Sequence, residues 1–457
     1  MKNVLFIMTD QQRNDSLGIN SEWMITPYLD SIALSGMVFD SCITNSPLCV
    51  PARFSLATGK SPVQLGIDNN IDVDIDPADS SWTRTLSSLG YQMAVFGKTH
   101  LHRHKGDIRD REDLLRQCGF NVVNEIGGPR ASAHIASNMT DLWQSQGVLE
   151  DYRKDVAHRI KEDPLSCTPS NLPFDLYADN YVGDEARDYL ENVDEKHPWF
   201  CWASFGGPHE PWDTPLPFAS MYSDTDVPHA IASKHKADER IPLNSIHGRR
   251  FKSTPEISKK EIEDIRKNYA GNVSLIDEKI GELLGVVKER GMFDNTIIVF
   301  TSDHGEMNGD HDLVYKGVFF DASVRVPLIV STPELRAQKR FRNLIRRNPA
   351  LVQLSDVGPT ILELVGKSSS RNAYGRSFSA CVIGRKSRHR NVVFSELAGE
   401  TMVANRHWKI VFNKKQKPYM CFNTKHDPTE KNNLSGSLVA KVVEKVASGL
   451  LKNYRLG

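Results

Sequence analysis

The sequence predicts an α/β fold: a large doubly wound, mainly parallel sheet flanked by helices, followed by a smaller antiparallel α+β subdomain. Three observations predict it. Short apolar runs without polar alternation recur through most of the chain, the pattern of strands buried on both faces. Helix start and stop signals separate these runs. After about Gly366 the runs become shorter and more polar in their surroundings. The 457 residues suit one large and one small domain, or three domains at about 150 residues each. The expected boundary places a catalytic α/β domain at 1–367 and the smaller subdomain at 368–457.

In chain order, Val4–Met8 is the first strand and runs into Thr9-Asp10-Gln11. With Met1 and Lys2 it looks superficially like a signal peptide, but the apolar stretch is short and no small-residue cleavage site follows. With Met1 as the native start the expected location is cytoplasmic; it would be periplasmic had a leader been removed. Thr26-Pro27 opens a helix that Gly36 closes, with proline suited to the first helical position. Gln92–Phe96 runs into Gly97-Lys98-Thr99-His100, and Trp199–Phe205 into Gly206-Gly207-Pro208-His209. Residues 103–172 are polar and are expected to be irregular loops over the active face. Ser258-Lys259-Lys260-Glu261 is a capping box opening a long helix toward Gly291. Ile297–Phe300 runs into Thr301-Ser302-Asp303-His304, and Ser355 to Gly366 reads as another helix. Asn391–Ser395, Lys409–Phe412 and Tyr419–Phe422 read as short strands, and Leu438–Leu451 as a closing helix. Four buried strands thus deliver titratable groups at their carboxyl ends, where open α/β sheets bind ligands.

Composition excludes several function classes. Lys plus Arg number 57 and Asp plus Glu 57, so zero net charge argues against a broad grip on nucleic acid or an anionic membrane. No apolar run approaches the roughly 20 residues of a membrane span. Seven cysteines without a Cys-x-x-Cys pair indicate neither a disulfide framework nor a zinc knuckle. The sequence carries no signal of oligomeric state.

The segment Cys49-Val50-Pro51-Ala52-Arg53 leads into a helix-like run. Pro51 in the first turn aims the helix N-terminus at Cys49, where free amides and the dipole favour negative charge. Arg53 adds a forked cation. A tyrosine-phosphatase loop does not fit, because Ser55 stands where that loop needs arginine.

With these motifs in hand, the chain resembles the type I sulfatases of the alkaline phosphatase superfamily. Cys49–Arg53 matches their formylglycine signature. Gly97-Lys98-Thr99-His100-Leu101 is similar to Gly-Lys-Trp-His-Leu, with Thr99 in place of Trp. Phe205–Pro211, Ser302–His311 with Lys316, and Phe422–Leu434 resemble later family blocks, the last with Phe422-Asn423-Thr424 in place of Tyr-Asp-Leu. The resemblance implies that a maturation enzyme oxidises Cys49 to formylglycine. One hydroxyl of the hydrated aldehyde attacks sulfur to give a covalent sulfo-enzyme, and the second collapses to release sulfate. It implies Asp10, Gln11, Asp303 and His304 as metal ligands, completed by an oxygen at position 49. The expected ion is Ca²⁺, with Mn²⁺ or Mg²⁺ as alternatives, because Gln11 replaces the usual Asp and His304 the usual Asn. Arg53, Lys98 and Lys316 form the anion cradle; once a divalent ion cancels Asp10 and Asp303, about three positive charges meet the sulfate ester. The resemblance further implies that His100 takes the second hydroxyl proton and that His209 with Lys316 protonates the leaving alcohol.

Arg103, His104 and Trp212 are expected to touch substrate, and Arg130, His134 and Trp143 are weaker aromatic or polar candidates in the same loops. The expected partner is a small-molecule or oligosaccharide sulfate ester, most plausibly a sulfated carbohydrate. The alternatives are a choline or aryl sulfatase, and a phosphonate monoester or phosphodiester hydrolase, whose relatives share a triplet similar to Gly309-Asp310-His311. A non-catalytic binder of sulfated ligands is set aside, because no nucleophile or ligand position is missing.

Overall fold

The structure, a computed structural model, describes residues 1–79, 81–232, 234, 257–338, 344–368 and 373–456. Thirteen strands among them form two sheets. The large one contains β1 (Asn3–Thr9), β2 (Met37–Ile43), β3 (Gln92–Gly97), β4 (Val122–Glu125), β5 (Trp199–Ser204), β6 (Thr296–Ser302), β7 (Arg325–Val326), β8 (Leu328–Ser331) and β9 (Arg347–Gln353). Its order is β4-β3-β5-β1-β6-β8-β2-β7, with β9 pairing β2. The run from β4 to β6 is parallel. β8 pairs antiparallel with both β6 and β2.

Every residue of β1, β5 and β6 is buried. Val4, Phe6 and Met8 face one apolar core, while Leu5 and Ile7 face another on the opposite side of the sheet. The pleat therefore spends both faces on apolar side chains, which is why these strands read as unbroken runs. On the first face pack the helices Cys49–Thr58, Ser81–Ser88 and Val357–Leu364; on the second, Ala178–Asn192 and Lys259–Glu289. The Ser258 capping box is formed, and the Pro27–Ser35 helix stops at Gly36.

Residues 103–172 correct the sequence reading. They hold β4 and the helices Glu112–Gln117, Asn138–Ser145 and Leu149–Lys161. Met139 and Trp143, then Leu149, Tyr152 and Val156, bury themselves at helical spacing. The charged outer faces masked these narrow stripes in the sequence.

The second sheet, β10 (Val393–Leu397), β11 (Glu400–Ala404), β12 (Lys409–Phe412) and β13 (Pro418–Phe422), is antiparallel, and the helix Leu438–Leu456 covers it. The sequence missed β11. Residues 369–371, at the expected domain boundary, lie outside the described residues. Met402, Val411, Met420 and Phe422 of this sheet pack against Leu48, Met307, Val318 and Phe319. The sheet thus backs the loops that carry Cys49 and Lys316. Buried Lys409 reinforces the junction, meeting Asp321 at 2.6 Å and Glu430 at 2.5 Å. Glu430, inside the Phe422–Leu434 motif, also accepts the Asp321 amide.

A second polar tie is Asp356, fully buried beside Arg390 at 2.5 Å and His389 at 3.2 Å. Burial alone would push this carboxyl up; the charge and hydrogen bonds of Arg390 hold it well below the usual carboxylate range. A depressed folded-state value contributes stability that is present above the unfolded value of 3.8 and lost as pH falls below it. Melting curves should show Asp356→Asn clearly less stable than wild type at neutral pH. The gap should shrink steadily as pH drops below 4, and a gap that grows on acidification would contradict the assignment.

Candidate active site

β3, β5, β1 and β6 are neighbours in the sheet and run in one direction, so their carboxyl ends share one edge. Asp10 and Gln11 follow β1, Lys98 follows β3, His209 follows β5, and Asp303 and His304 follow β6. Backbone bonds lock these ends together: Asp10 N–H donates to Gly207 O at 3.0 Å and Lys98 N–H to Ser204 O at 2.8 Å. Gly97 makes the second possible. Its φ is +92°, and a Cβ there would lie 1.9 Å from Ser204 O. Gln11 and His100 also take positive φ, at 71° and 56°. Such backbone in non-glycine residues clusters at functional sites.

All ten residues of the Cys49–Thr58 helix are buried. Cys49 occupies its first position, and the Val50 amide is held by Asn70 Oδ1 at 3.0 Å. One turn on, the wholly buried Arg53 spreads its guanidinium over both strand-end carboxylates. Nε meets Asp303 Oδ2 at 2.8 Å and one terminal nitrogen meets Asp10 Oδ2 at 3.1 Å. The other donates to Ser204 Oγ at 3.1 Å and to Lys98 O. Lys98 Nζ lies 2.5 Å from Asp10 Oδ2. Burial alone would raise the Asp10 carboxyl, but Lys98, His209 and Arg53 hold it well below the usual range.

Asp10, Cys49, Asp303 and His304 each offer a donor atom, all within 4.8 Å of one another and all buried. His304 Nδ1–H donates to Gly305 O at 3.0 Å, which leaves the Nε2 lone pair facing inward. That atom lies 3.1 Å from Cys49 Sγ, 3.7 Å from Asp303 Oδ1 and 3.8 Å from Asp10 Oδ1. Burial lowers the His304 value and Asp303 only partly offsets it, so the ring is neutral near pH 7, as a ligand must be. Two carboxylates and an imidazole converging on position 49 fit a divalent cation.

Gln11, the other expected ligand, donates its backbone N–H to Asp303 Oδ1 at 3.0 Å. Its Oε1 accepts from Lys316, and its Nε2 donates to Glu306 and to Glu210 at 3.0 Å. Lys316 is buried and lies 3.7 Å from Glu210. Burial opposes its charge, but the Cys49 sulfur, Glu210, Asp10 and Asp303 raise it above the usual lysine value. The carboxyls of Glu210 and Glu306 correct the charge count, since they set negative charge beside Lys316 that the three cations alone do not show. Burial pushes Glu306 up to about 7, so it carries only part of that charge at neutrality. His209 Nδ1–H donates to the Glu210 carbonyl at 2.6 Å, leaving Nε2 to handle a proton.

The His100 ring is half-buried, and desolvation followed by the charges of His104, Lys98 and Arg53 keeps it neutral. Arg103 instead turns outward, pairing with Asp74 at 2.7 Å. Trp212 is 2% exposed and stacks behind Tyr315, and Trp143 is core. His134 is exposed, whereas Arg130 reaches Glu210 at 2.9 Å. Arg130 and Glu210, with Tyr315, Arg159 and Lys161, line a cavity of about 310 Å³. Sequence reasoning missed Ser204, Glu210 and Glu306, although each falls within or beside a quoted motif. Asp310 and His311 are structural: Asp310 pairs with Arg13 at 2.8 Å and Arg266 at 2.7 Å, and His311 stacks on Phe320.

The family model described as sulfatase matches residues 2–367, and that of the N-sulphoglucosamine sulphohydrolase C-terminal region matches 309–455. An arylsulfatase of Clostridium perfringens is 28% identical over 465 residues, covering 95% of this chain and 90% of that protein. The multifunctional alkaline phosphatase superfamily protein PehA of Trinickia caryophylli is 29% identical over 403 residues, covering 82% and 76%. Among solved structures, a phosphonate monoester hydrolase of Agrobacterium radiobacter superposes with TM-score 0.79 at 21% identity over 100% of this chain and 96% of that one. A protein solved with its substrate D-glucosamine-2-N,6-O-disulfate gives 0.73 at 18% identity over 99% and 97%. With a family model spanning the whole large sheet and every strand-end residue, the chain belongs to the sulfatase family, sulfuric ester hydrolases of the alkaline phosphatase superfamily.

Proposed function

We propose that this chain cleaves an organic sulfate monoester, and that its nucleophile is formylglycine made from Cys49. The observation that carries the reading is the convergence of Asp10, Asp303, His304, Arg53 and Lys98 on the buried first residue of one helix. The thiol marks where the aldehyde hydrate would stand. A hydrated aldehyde there would supply both the attacking oxygen and the means of releasing sulfate; Asp10, Asp303 and His304 would hold Ca²⁺, whose charge would favour ionisation of the hydrate and screen the sulfate oxygens. Arg53 orients the two carboxylates. Lys98 and Lys316 hold the anion in a site closed to bulk water. His100, neutral and half-buried, accepts a proton from position 49. His209 and Lys316 deliver one to the departing alcohol.

The substrate proposed is a sulfated mono- or oligosaccharide. The cavity of about 310 Å³ falls in the range of small-ligand pockets, and Glu210 joins it to the Lys316 side of the site. Its charged rim suits a hydroxyl-rich, anionic ring better than an aryl group. A second reading, phosphonate monoester hydrolysis, draws on the fold shared with the phosphonate monoester hydrolase of Agrobacterium radiobacter. Its sequence support weakens, because Asp310 is committed to Arg13 and Arg266.

The test compares kcat/KM on sulfated sugars, choline sulfate, an aryl sulfate and an aryl phosphonate monoester. A sulfated sugar should lead by at least about tenfold, as expected when a pocket adds transition-state contacts. Faster phosphonate cleavage would overturn the reading. Chelation should silence turnover, with Ca²⁺ restoring it.

A further inference from the structure

We propose a second metal site, selective for Zn²⁺, formed by His102, His104 and Glu125. The chain builds it beside the candidate catalytic centre but from different side chains. β3 pairs with β4 so that Gly97 lies opposite Glu125. The loop leaving β3 then folds back over the end of β4, bringing His102 and His104 to that carboxylate. One donor atom from each of the three lies within 4.8 Å of the others. The side chains of His102 and Glu125 are 0% and 2% exposed.

The polar groups here are only partly satisfied by one another. His102 Nε2 faces Glu125 Oε2 at 2.5 Å, while Nδ1 faces the Arg103 carbonyl at 3.2 Å. Both ring nitrogens therefore point at acceptors. The ring serves both only as an imidazolium, its charge held by Glu125. A cation between Nε2 and Oε2 would take the place of that proton, leaving Nδ1–H to the Arg103 carbonyl. The other Glu125 oxygen is fixed by the Thr99 hydroxyl, the outer support expected of a ligating carboxylate. Both nitrogens of His104 are buried with no hydrogen bond of good geometry, and one leans loosely on the Gly127 backbone. A half-buried imidazole whose nitrogens are both shut off from water, one of them uncommitted beside a carboxylate and a second imidazole, is poorly explained as packing alone.

Two imidazole nitrogens and one carboxylate oxygen are the donor set of a borderline cation. Zinc bonds of about 2.0–2.2 Å place tetrahedral neighbours roughly 3.3 Å apart, within reach of small side-chain rotations here. The fourth position falls to water or to an anionic group. Binding displaces the proton between His102 and Glu125 into solvent, so charge balances as Zn²⁺ enters and H⁺ leaves. The catalytic cluster of Asp10, Asp303 and His304 with position 49 is a different donor set, so the two sites are told apart by where the zinc lies. His104 also stacks on His100, centroids 4.5 Å apart and planes 19° from parallel. Zinc on His104 would hold the His100 ring in place, a positioning role that rests on the reading of His100 above.

The test strips the full chain of metal, saturates it with Ca²⁺, and titrates Zn²⁺. Elemental analysis should find one zinc per chain in wild type and in Asp10→Asn. Diffraction at the zinc edge should put the anomalous peak between His102, His104 and Glu125. His104→Gln and Glu125→Gln should each weaken zinc at least about tenfold. Absence of zinc at that position, or equal zinc in wild type and both variants, would overturn the proposal. Should the variants fail to fold, the wild-type anomalous map decides alone. Because the readout is metal content, failure here is distinct from failure of the sulfatase reaction.

Discussion

Cys49→Ala is expected to lower kcat by at least on the order of 10⁴-fold, because it removes the proposed nucleophile. The loss should leave melting nearly unchanged, since one small buried atom goes and the helix keeps its Asn70 anchor. Cys49→Ser is the sharper variant. A serine oxygen at the helix N-terminus, beside His304 and the Asp10–Asp303 pair, can take the sulfuryl group once. It has no second hydroxyl with which to expel sulfate. One turnover per chain and a stable sulfated protein, read by intact mass, are expected. Continuous turnover by the serine variant would show that the internal exit is not needed.

Arg53→Ala should be the most damaging change that leaves the nucleophile intact. The guanidinium is wholly buried and touches both strand-end carboxylates. Removing it leaves Asp10 paired with Lys98 and takes from Asp303 its guanidinium partner. Breaking a buried pair of this kind costs about 3–5 kcal/mol. A divalent cation should recover part of that loss by taking over the carboxylates, so the variant's melting temperature should respond to added Ca²⁺ more than that of wild type. Arg53→Lys keeps the charge but cannot fork to Asp10, Asp303, Ser204 and the Lys98 carbonyl together. It should fold, yet lose roughly 10²–10³-fold in kcat, the scale of one misplaced oxyanion-stabilising donor. A fully active Arg53→Lys would remove Arg53 from the cradle.

Much of this was legible because β1, β3, β5 and β6 are buried on both faces. Double burial forces unbroken apolar runs, and the first polar residue after each run marks the sheet edge. That is how Asp10, Lys98 and Asp303 could be placed together before any coordinates. The sequence had more difficulty with the surface. The helices between 103 and 172 bury one narrow stripe each, and the charged residues around Tyr152 and Trp143 hid them. β2 and β11 escaped for a related reason: Asp40 and Ser41 interrupt one, and the other lies in a polar setting. Side-chain direction was the least legible quantity. Arg103 and Trp212 sit in the right segments, but Arg103 finds Asp74 and Trp212 finds Tyr315. Gln11 occupies a ligand position, yet Lys316 claims its oxygen. Glu210 and Glu306 carry no motif signal of their own, and only the packed loop reveals that they surround Lys316 and Gln11.

The central claim is that position 49 does not remain a cysteine in the working enzyme. Mass spectrometry of the Cys49 peptide, from protein co-expressed with a formylglycine-generating enzyme and from protein made without it, tests this directly. The mass of an aldehyde in place of the thiol, in a fraction that tracks specific activity across preparations, is the predicted result. Full activity from chains whose Cys49 is an unmodified thiol would contradict it.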